Sequence, residues 1–110
     1  MIEVIEINTN YINDLQKISK QTFIETFESS NTEEDMRNYV NENLSRKQLI
    51  KELNNTQSHF YFAKIEKNIV GYLKLNEPAA QSDKQYVGSL EIERIYVLKE
   101  FHEKKSDEHY

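Results

Sequence analysis

The stretch "SHFYFAKIEKNIVGYLKLN", from Ser58 to Asn76, decides the fold. It holds two runs, "SHFYFAKIE" and "IVGYLKLN", whose aromatic and β-branched residues are typical of strands. Lys67 and Asn68 separate the runs, and asparagine tolerates the positive φ of a tight turn. The stretch therefore predicts a β-hairpin that turns at Lys67 and Asn68.

The sequence before the hairpin predicts helices. Apolar residues recur at helical spacing from Tyr11 to Phe27, which indicates an amphipathic helix that begins near a cap at Asn10. Two capping signals follow, "TEED" from Thr32 and "SRKQ" from Ser45. They predict either two short helices or one bent helix.

Two further runs complete the predicted sheet. "IEVIEI", from Ile2 to Ile7, is the first strand, and "LEIERIYVL", from Leu90 to Leu98, is the last, after a polar loop over residues 77–89. The last strand alternates at first and is then apolar in succession, which predicts a half-exposed start and an end buried on both faces. The predicted order is β-α-α-β-β-β. The fold class is therefore α/β (α+β) with a mostly antiparallel sheet.

The composition limits the possible functions. The chain has 110 residues, enough for one compact domain, and its formal net charge of −5 argues against non-specific nucleic-acid binding. It has no cysteine, which excludes disulfides, thiolate catalysis and thiolate metal sites. No run approaches the roughly 20 apolar residues that span a bilayer, and the N-terminus lacks a basic region followed by an apolar one. We therefore expect a soluble cytoplasmic protein with no membrane partner.

The histidines form no recognisable metal motif. His102 and His109 lie among acidic residues near the C-terminal end, but a spacing such as H-E-x-x-H is absent. His59 lies in a predicted strand elsewhere. We expect no metal site and interpret the C-terminal cluster as a solvated tail.

These segments, taken in order, resemble the N-terminal part of a GNAT-superfamily N-acetyltransferase, with the strongest likeness to bacterial polyamine acetyltransferases of the PaiA type. The resemblance depends on "SKQTFIETF" in the first helix, on the hairpin, and on "LEIERIYVLKEF" in the last strand. Such enzymes transfer an acetyl group from acetyl-CoA to an amine. The resemblance therefore implies acetyl-CoA as cofactor and a small amine or polyamine as substrate.

The resemblance also implies residues of the site. Backbone groups of Ile95, Tyr96 and Val97 are expected to pair with the pantetheine arm of the cofactor as if it were an added strand. Without the resemblance, Ile95 and Val97 are interpreted as core residues. A carboxylate on this strand acts as a base through water in many relatives, which makes Glu93 a candidate catalytic residue. The alternative for Glu93 is a solvated side chain or an ion-pair partner of Arg94 or a lysine.

In relatives the first helix and the loop after it line the acceptor side of the site. Phe27, Glu28 and Tyr39 are therefore candidates for contact with the amine. Phe27 and Tyr39 are also explained as core residues at helical spacing.

The segment after the last strand departs from the family pattern. Relatives continue with Gln or Arg, two residues, and then Gly-x-Gly or Gly-x-Ala, where glycines and a helix N-terminus hold the CoA diphosphate. Here His102 replaces the Gln or Arg, Lys105 the first Gly and Asp107 the second. We therefore divide the chain into a truncated GNAT domain, residues 1–101, and a divergent charged tail, residues 102–110.

Two functional hypotheses follow from the sequence. In the first, the chain is the front part of an N-acetyltransferase that is inactive alone and does not bind acetyl-CoA tightly. In the second, it is a non-catalytic folded remnant that forms a homodimer, or pairs with a separate C-terminal fragment, through the exposed edge of its last strand.

Overall fold

The computed structural model describes residues 2–78 and 90–102. The strands form one antiparallel sheet in the order β1-β2-β3-β4: β1 is Ile2–Ile7, β2 is Ser58–Ile65, β3 is Asn68–Asn76 and β4 is Glu91–Val97. The helices lie between β1 and β2 in the chain: α1 is Ile12–Phe27, α2 is Glu33–Asn43 and α3 is Arg46–Leu53. The predicted fold class and the predicted positions of the strands and helical regions are confirmed.

Two helices begin where the sequence predicts a cap. The hydroxyl of Thr32 accepts a hydrogen bond from the backbone N–H of Asp35 at 3.0 Å, and the hydroxyl of Ser45 accepts one from Gln48 at 3.2 Å. A capping side chain satisfies a backbone donor that has no partner inside the helix. Because Ser45 caps a new helix, the second helical region is two short helices.

The start of α1 differs from the prediction. A short 3₁₀ turn, Thr9–Tyr11, precedes the helix, and the side chain of Asn8 accepts a hydrogen bond from the backbone N–H of Asn10 at 2.9 Å. Tyr11 then precedes α1 without a side-chain cap. The prediction of a cap at Asn10 is therefore wrong, because Asn8 caps the turn that leads into the helix.

One face of the sheet packs against the helices and forms the core. Phe60, Phe62 and Tyr72 point to this face and are almost completely buried. They pack against buried aliphatic side chains from the other elements: Ile7, Ile12, Leu15, Ile18, Leu44, Leu49 and Leu98. The removal of this apolar surface from water is the main favourable term in folding.

The β2–β3 hairpin turns one residue earlier than predicted. Glu66 and Lys67 occupy the turn with φ values of 50° and 75°, while Asn68 already pairs with Ile65 as the first residue of β3. A left-handed conformation costs a residue with a side chain roughly 1–2 kcal/mol. The prediction of a turn at Lys67 and Asn68 is therefore wrong by one position, and the observed turn is strained.

A β-bulge at Glu93 decides which residues of β4 face the helices. Lys74 of β3 pairs with Arg94, and the next residue of β3 pairs with Ile92, so Glu93 is an extra residue in β4. As a result Glu93 and Arg94 both lie on the core face. Ile92 and Ile95 lie on the opposite face, where they are 60% and 66% exposed. The prediction that the end of this strand is buried on both faces is therefore wrong at Ile95.

The face of the sheet opposite the helices, called here the open face, exposes apolar side chains. Leu90, Ile92 and Ile95 are exposed near β4, and Ile2 and Val4 are exposed on β1. Contiguous exposed apolar surface often marks a site of interaction. The open face is therefore a candidate contact surface.

Some predictions fall partly outside the residues that the structure describes. Of the predicted polar loop, residues 77–89, only the first two residues are described. Of the predicted tail, residues 102–110, only His102 is described. Within the described ranges, no helix is both long enough and apolar enough to cross a membrane.

Candidate functional site

The residues predicted to contact a cofactor lie at the end of β4. Ile95, Tyr96 and Val97 pair with residues 71–73 of β3. On its other side β4 has no strand partner within residues 2–78 and 90–102. An unpaired strand edge presents N–H and C=O groups in a row, so it can pair with another extended chain that carries amides.

Gly71 allows β4 to lie close to β3 at this point. A Cβ atom on Gly71 would lie 2.5 Å from the backbone oxygen of Tyr96 and 3.1 Å from the Cα of Val97. Glycine within a strand often marks such a close approach of another backbone. Any other residue at this position would displace the part of β4 that is predicted to contact the cofactor.

A buried ionic cluster lies on the core face between α3, β3 and β4. Glu52 Oε1 accepts a hydrogen bond from Lys74 Nζ at 3.0 Å and lies 2.9 Å from Arg94 Nη1. The side chains of Glu52, Lys74 and Arg94 are 12%, 8% and 14% exposed. We call these three residues, together with Glu93, the Glu52 cluster.

Glu93 is held by three partners. Its Oε1 lies 3.1 Å from Lys74 Nζ and accepts a hydrogen bond from Asn76 Nδ2 at 2.6 Å, and its Oε2 lies 3.3 Å from Arg94 Nη2. The expectation that Glu93 pairs with Arg94 or a lysine is confirmed, since it pairs with both. The role of Glu93 as a base stays a prediction, and a substrate proton would have to compete with these partners.

The charges of the Glu52 cluster shift the pKa values of its members. Burial alone would raise the pKa of Glu52, but the hydrogen bond from Gln48 and the charges of Arg94 and Lys74 lower it below its ordinary value. Burial alone would lower the pKa of Arg94, but the negative charge of Glu52 raises it. Both groups are therefore charged at neutral pH, and the pair holds α3 against β4.

Tyr72 lies next to the predicted cofactor residues and is not among the residues that the sequence predicts for the site. Its ring centroid is 5.8 Å from that of Tyr96, and burial raises the pKa of Tyr72 to about 12. The hydroxyl is therefore protonated at neutral pH. The alternation of side chains along a strand could have identified Tyr72 from the sequence, because it places Tyr72 on the same face of β3 as Lys74 and Asn76.

The residues predicted for the acceptor side lie in two separate places. Tyr39 stacks on Phe23 with ring centroids 4.3 Å apart, and Phe23 lies 5.0 Å from Phe27. These rings form a small aromatic group between α1 and α2. Phe27 is half-buried, but Tyr39 is 42% exposed. The alternative interpretation of Tyr39 as a core residue is therefore wrong.

Glu28 lies apart from those rings and lines a cavity of about 510 Å³ between the end of α1 and α2. Glu33 and Met36 of α2 also line this cavity, and Glu33 lies 3.7 Å from Arg37. Two carboxylates beside an apolar surface provide acceptors for a protonated amine.

His59 bridges two carboxylates beside the open face. Its Nδ1 lies 3.1 Å from Glu6 Oε2, and its Nε2 lies 2.6 Å from Glu77 Oε2. The hydrogen bonds to Glu77 and Glu6 raise the pKa of His59 above its ordinary value. The bridge therefore stabilises the fold fully below the unfolded pKa of about 6.5, and its contribution is lost as the pH rises through the raised pKa.

The two carboxylates contact opposite nitrogens of the His59 ring, so the three groups do not converge on one point. Among the residues that the structure describes, no group of three His, Asp or Glu side chains is placed to hold a metal ion.

The chain begins a helical turn after β4, over residues 99–102. The backbone N–H of Lys99 donates to Glu25 Oε1 at 2.8 Å. The start of a helix favours an anion, and here a carboxylate of the protein itself occupies that place. Lys105 and Asp107, which depart from the glycine pattern of the family, lie outside the described residues.

The chain is similar in sequence to an N-acetyltransferase. An uncharacterized N-acetyltransferase of Lactobacillus delbrueckii subsp. lactis, in the 3′ region of pepI, is 33% identical over 100 residues. The matched region covers 91% of this chain and 58% of that protein. No protein-family model matches the sequence.

Solved acetyltransferases share the fold. The PaiA N-acetyltransferase from Thermoplasma acidophilum, in complex with coenzyme A, matches with a TM-score of 0.73 and 19% identity, over 96% of this chain and 64% of that one. The aminoglycoside acetyltransferase meta-AAC0020 from an uncultured soil metagenomic sample, in complex with sisomicin, matches with a TM-score of 0.60 and 17% identity, over 91% of this chain and 58% of that one. This chain has the GNAT N-acetyltransferase fold. The GNAT resemblance of the sequence is confirmed at the level of the fold, and the chain spans less than two thirds of each of these three proteins.

Proposed function

We propose that this chain is part of an acetyl-CoA-dependent N-acetyltransferase that acts on a small amine. The observation that supports this most directly is the edge of β4, where Ile95, Tyr96 and Val97 offer backbone groups with no strand partner among the described residues. The pantetheine arm carries amides and can pair with such an edge. The PaiA relative, which shares this fold, was solved with coenzyme A.

The cofactor, Glu28 and Glu93 have different proposed roles. The thioester of acetyl-CoA supplies the activated acetyl group. Glu28 attracts the amine as a cation in the cavity between α1 and α2. Glu93 accepts a proton from the amine, directly or through water, when its contacts with Lys74 and Arg94 rearrange. Glu28, Glu33 and Arg37 give the lining of the cavity a charge of −1, which favours a substrate with a protonated amine.

We further propose that the 110-residue chain binds acetyl-CoA weakly by itself and turns it over little. The pantetheine arm fits the edge of β4, but the residues after His102 do not fit a diphosphate. Lys105 and Asp107 replace glycines that would let the backbone approach the phosphates, and Asp107 adds a repulsive charge. Glu25 also holds a negative charge at the start of the turn that follows β4.

The proposal is tested by titrating ¹⁵N-labelled protein with acetyl-CoA and following backbone amide shifts. We expect shifts centred on residues 95–97, with a Kd above about 1 mM. A variant that combines His102→Gln, Lys105→Gly and Asp107→Gly restores the family pattern without changing the net charge. It should bind at least about tenfold more tightly, because glycines let the backbone N–H groups approach the phosphates and Asp107 no longer repels them.

A variant with Glu103→Gly and Lys104→Gly introduces two glycines into the same segment at positions outside the family pattern, and it also removes one charge of each sign. It is the matched control and should leave the Kd unchanged within about twofold. Shifts that avoid β4 altogether would contradict the cofactor role of Ile95, Tyr96 and Val97. Turnover of acetyl-CoA with spermidine at about 1 per second or faster, the range of ordinary enzymes, would contradict the proposed inactivity.

We infer a second candidate function, self-association through the open face and the edge of β4. The observation that favours it is the exposure of Leu90, Ile92 and Ile95, at 63%, 60% and 66%, along one side of the sheet. A second copy of the chain would cover this apolar surface and pair the strand edge. A separately made C-terminal fragment is the other possible occupant and would leave the chain monomeric by itself.

The association is measured by analytical ultracentrifugation over a range of concentrations. We expect a dimer whose dissociation constant rises at least about tenfold in Ile95→Lys, since a buried lysine charge without a partner opposes association. Ile24→Lys is the control, because Ile24 is also exposed but lies on α1. A strict monomer at about 1 mM, or equal weakening by both substitutions, would exclude a dimer through this face.

A further inference from the structure

A cavity of about 430 Å³ lies between α1 and the tip of the β2–β3 hairpin. Its apolar wall includes Phe62, which is completely buried, and Ile5 and Ile69 from the strands on either side. The ring of Tyr11 meets that of Phe62 edge-on, with centroids 5.8 Å apart. This volume suits a small molecule, and the wall suits a flat apolar group. None of the residues in the predicted cofactor or amine sites lines this cavity.

Three lysines from different elements line the same cavity: Lys17 from α1, Lys64 from β2 and Lys67 from the hairpin turn. Asp14 is the only acidic residue in the lining, so the ionisable groups sum to a charge of +2 in a chain whose formal net charge is −5. The ion pairs found among the described residues do not include these three lysines. Three like charges gathered without a partner favour the binding of an anion.

The strained turn is a second and independent observation at this place. Glu66 and Lys67 have positive φ values, although Asn-Gly would form the same two-residue turn without strain. Strained backbone is often found at functional sites. The conformation places a lysine, rather than a glycine, at the rim of the cavity.

We propose that this cavity binds a small phosphate monoester that carries a flat apolar group. A phosphate monoester has a charge near −2 at pH 7.5, which balances the +2 of the lining. The apolar group would cover the exposed parts of Tyr11, Ile5 and Ile69, a surface that inorganic phosphate alone would leave in contact with water. A nucleic acid strand is a less suitable ligand, because three lysines neutralise few phosphates and the whole chain is acidic.

The probe for this proposal is phenyl phosphate, titrated into ¹⁵N-labelled protein at pH 7.5. We expect saturable amide shifts in residues 14–21 and 62–69, and a Kd that increases at least about tenfold when Lys17, Lys64 and Lys67 are all replaced by glutamine. The matched control replaces Lys47, Lys51 and Lys99, which are exposed and lie outside the cavity lining, by glutamine. It changes the net charge equally and should leave the Kd within about twofold.

Benzyl alcohol, which has the ring without the charge, should bind at least about tenfold more weakly than phenyl phosphate. If the triple variant does not fold, Lys17→Gln and Lys67→Gln are measured singly, and each should weaken binding about threefold or more. The proposal is overturned if phenyl phosphate produces no saturable shifts at about 10 mM, or if the shifts map to β4 instead of the hairpin. Equal weakening by the cavity and control variants, or equal binding of benzyl alcohol, would also overturn it. Because this site does not include β4, these outcomes are independent of the acetyl-CoA titration.

Discussion

Replacement of Glu52 by glutamine is expected to lower the free energy of unfolding by about 3 kcal/mol at pH 7, as found when one partner of a buried ion pair is removed. Glu52 lies within 3.0 Å of both Lys74 Nζ and Arg94 Nη1, and all three side chains are largely buried. Without its charge, the two cations would share Glu93 as their remaining ionic partner in the Glu52 cluster. Because small domains have a total stability of only about 5–15 kcal/mol, this is a large loss.

The measurement is urea unfolding of the wild type and Glu52→Gln at several pH values. The lowered pKa of Glu52 means that its charge stabilises the fold above its unfolded pKa, and that this stabilisation is lost as the pH falls through the folded pKa. The difference between the two proteins should therefore be largest near pH 7 and should shrink below about pH 4.

Glu33→Gln provides the control for an exposed ion pair. Glu33 lies 3.7 Å from Arg37, with side-chain exposures of 93% and 63%, so its loss should cost less than about 0.5 kcal/mol. A loss below about 1 kcal/mol in Glu52→Gln, or a loss that does not change with pH, would mean that solvent already screens the Glu52 cluster.

Most of the secondary structure could be predicted from the sequence because its signals are local. Thr32 and Ser45 each cap a helix by bonding to the backbone of a residue three positions later. The spacing of the apolar residues in α1 predicts which face of the helix is buried. The predicted position of the hairpin turn is wrong by one residue because that position depends on contacts that are not local. The pairing of Asn68 with Ile65 depends on the register of the whole hairpin, including a bulge near Ala63, and this outweighed the preference of Asn68 for positive φ.

The candidate site could be predicted only in part, because its contacts join distant parts of the chain. The place of Glu93 on the last strand makes it a candidate, but its contacts with Lys74 and Arg94 depend on a bulge that the apolar pattern does not reveal. Glu52 is 22 residues from Lys74 and 42 from Arg94 in sequence, so neither pair can be found from spacing. The inward position of Lys74, between Tyr72 and Asn76 on one face of β3, was the one local sign of a buried charge.

Replacement of Gly71 by alanine is expected to lower the free energy of unfolding by about 2–3 kcal/mol, near the upper end of the usual cost of overpacking. The new Cβ would lie 2.5 Å from the backbone oxygen of Tyr96, and a backbone atom cannot rotate away as a side chain can. The strand β4 must therefore move, and the residues that move are those predicted to contact the cofactor.

Two measurements distinguish this displacement from a general loss of packing. In Gly71→Ala, amide shifts should be largest around residues 71 and 95–98, and acetyl-CoA should no longer shift residues 95–97 in a saturable way. Ala63→Ser is the control, because Ala63 pairs with Gly71 from β2 and the substitution also adds one heavy atom. It should cost less than about 1 kcal/mol and leave β4 in place. Unchanged stability and unchanged β4 shifts in Gly71→Ala would show that β3 and β4 can separate at Gly71 without cost, although an added Cβ would lie 2.5 Å from the Tyr96 oxygen. The edge proposed for the pantetheine arm would then have no fixed position.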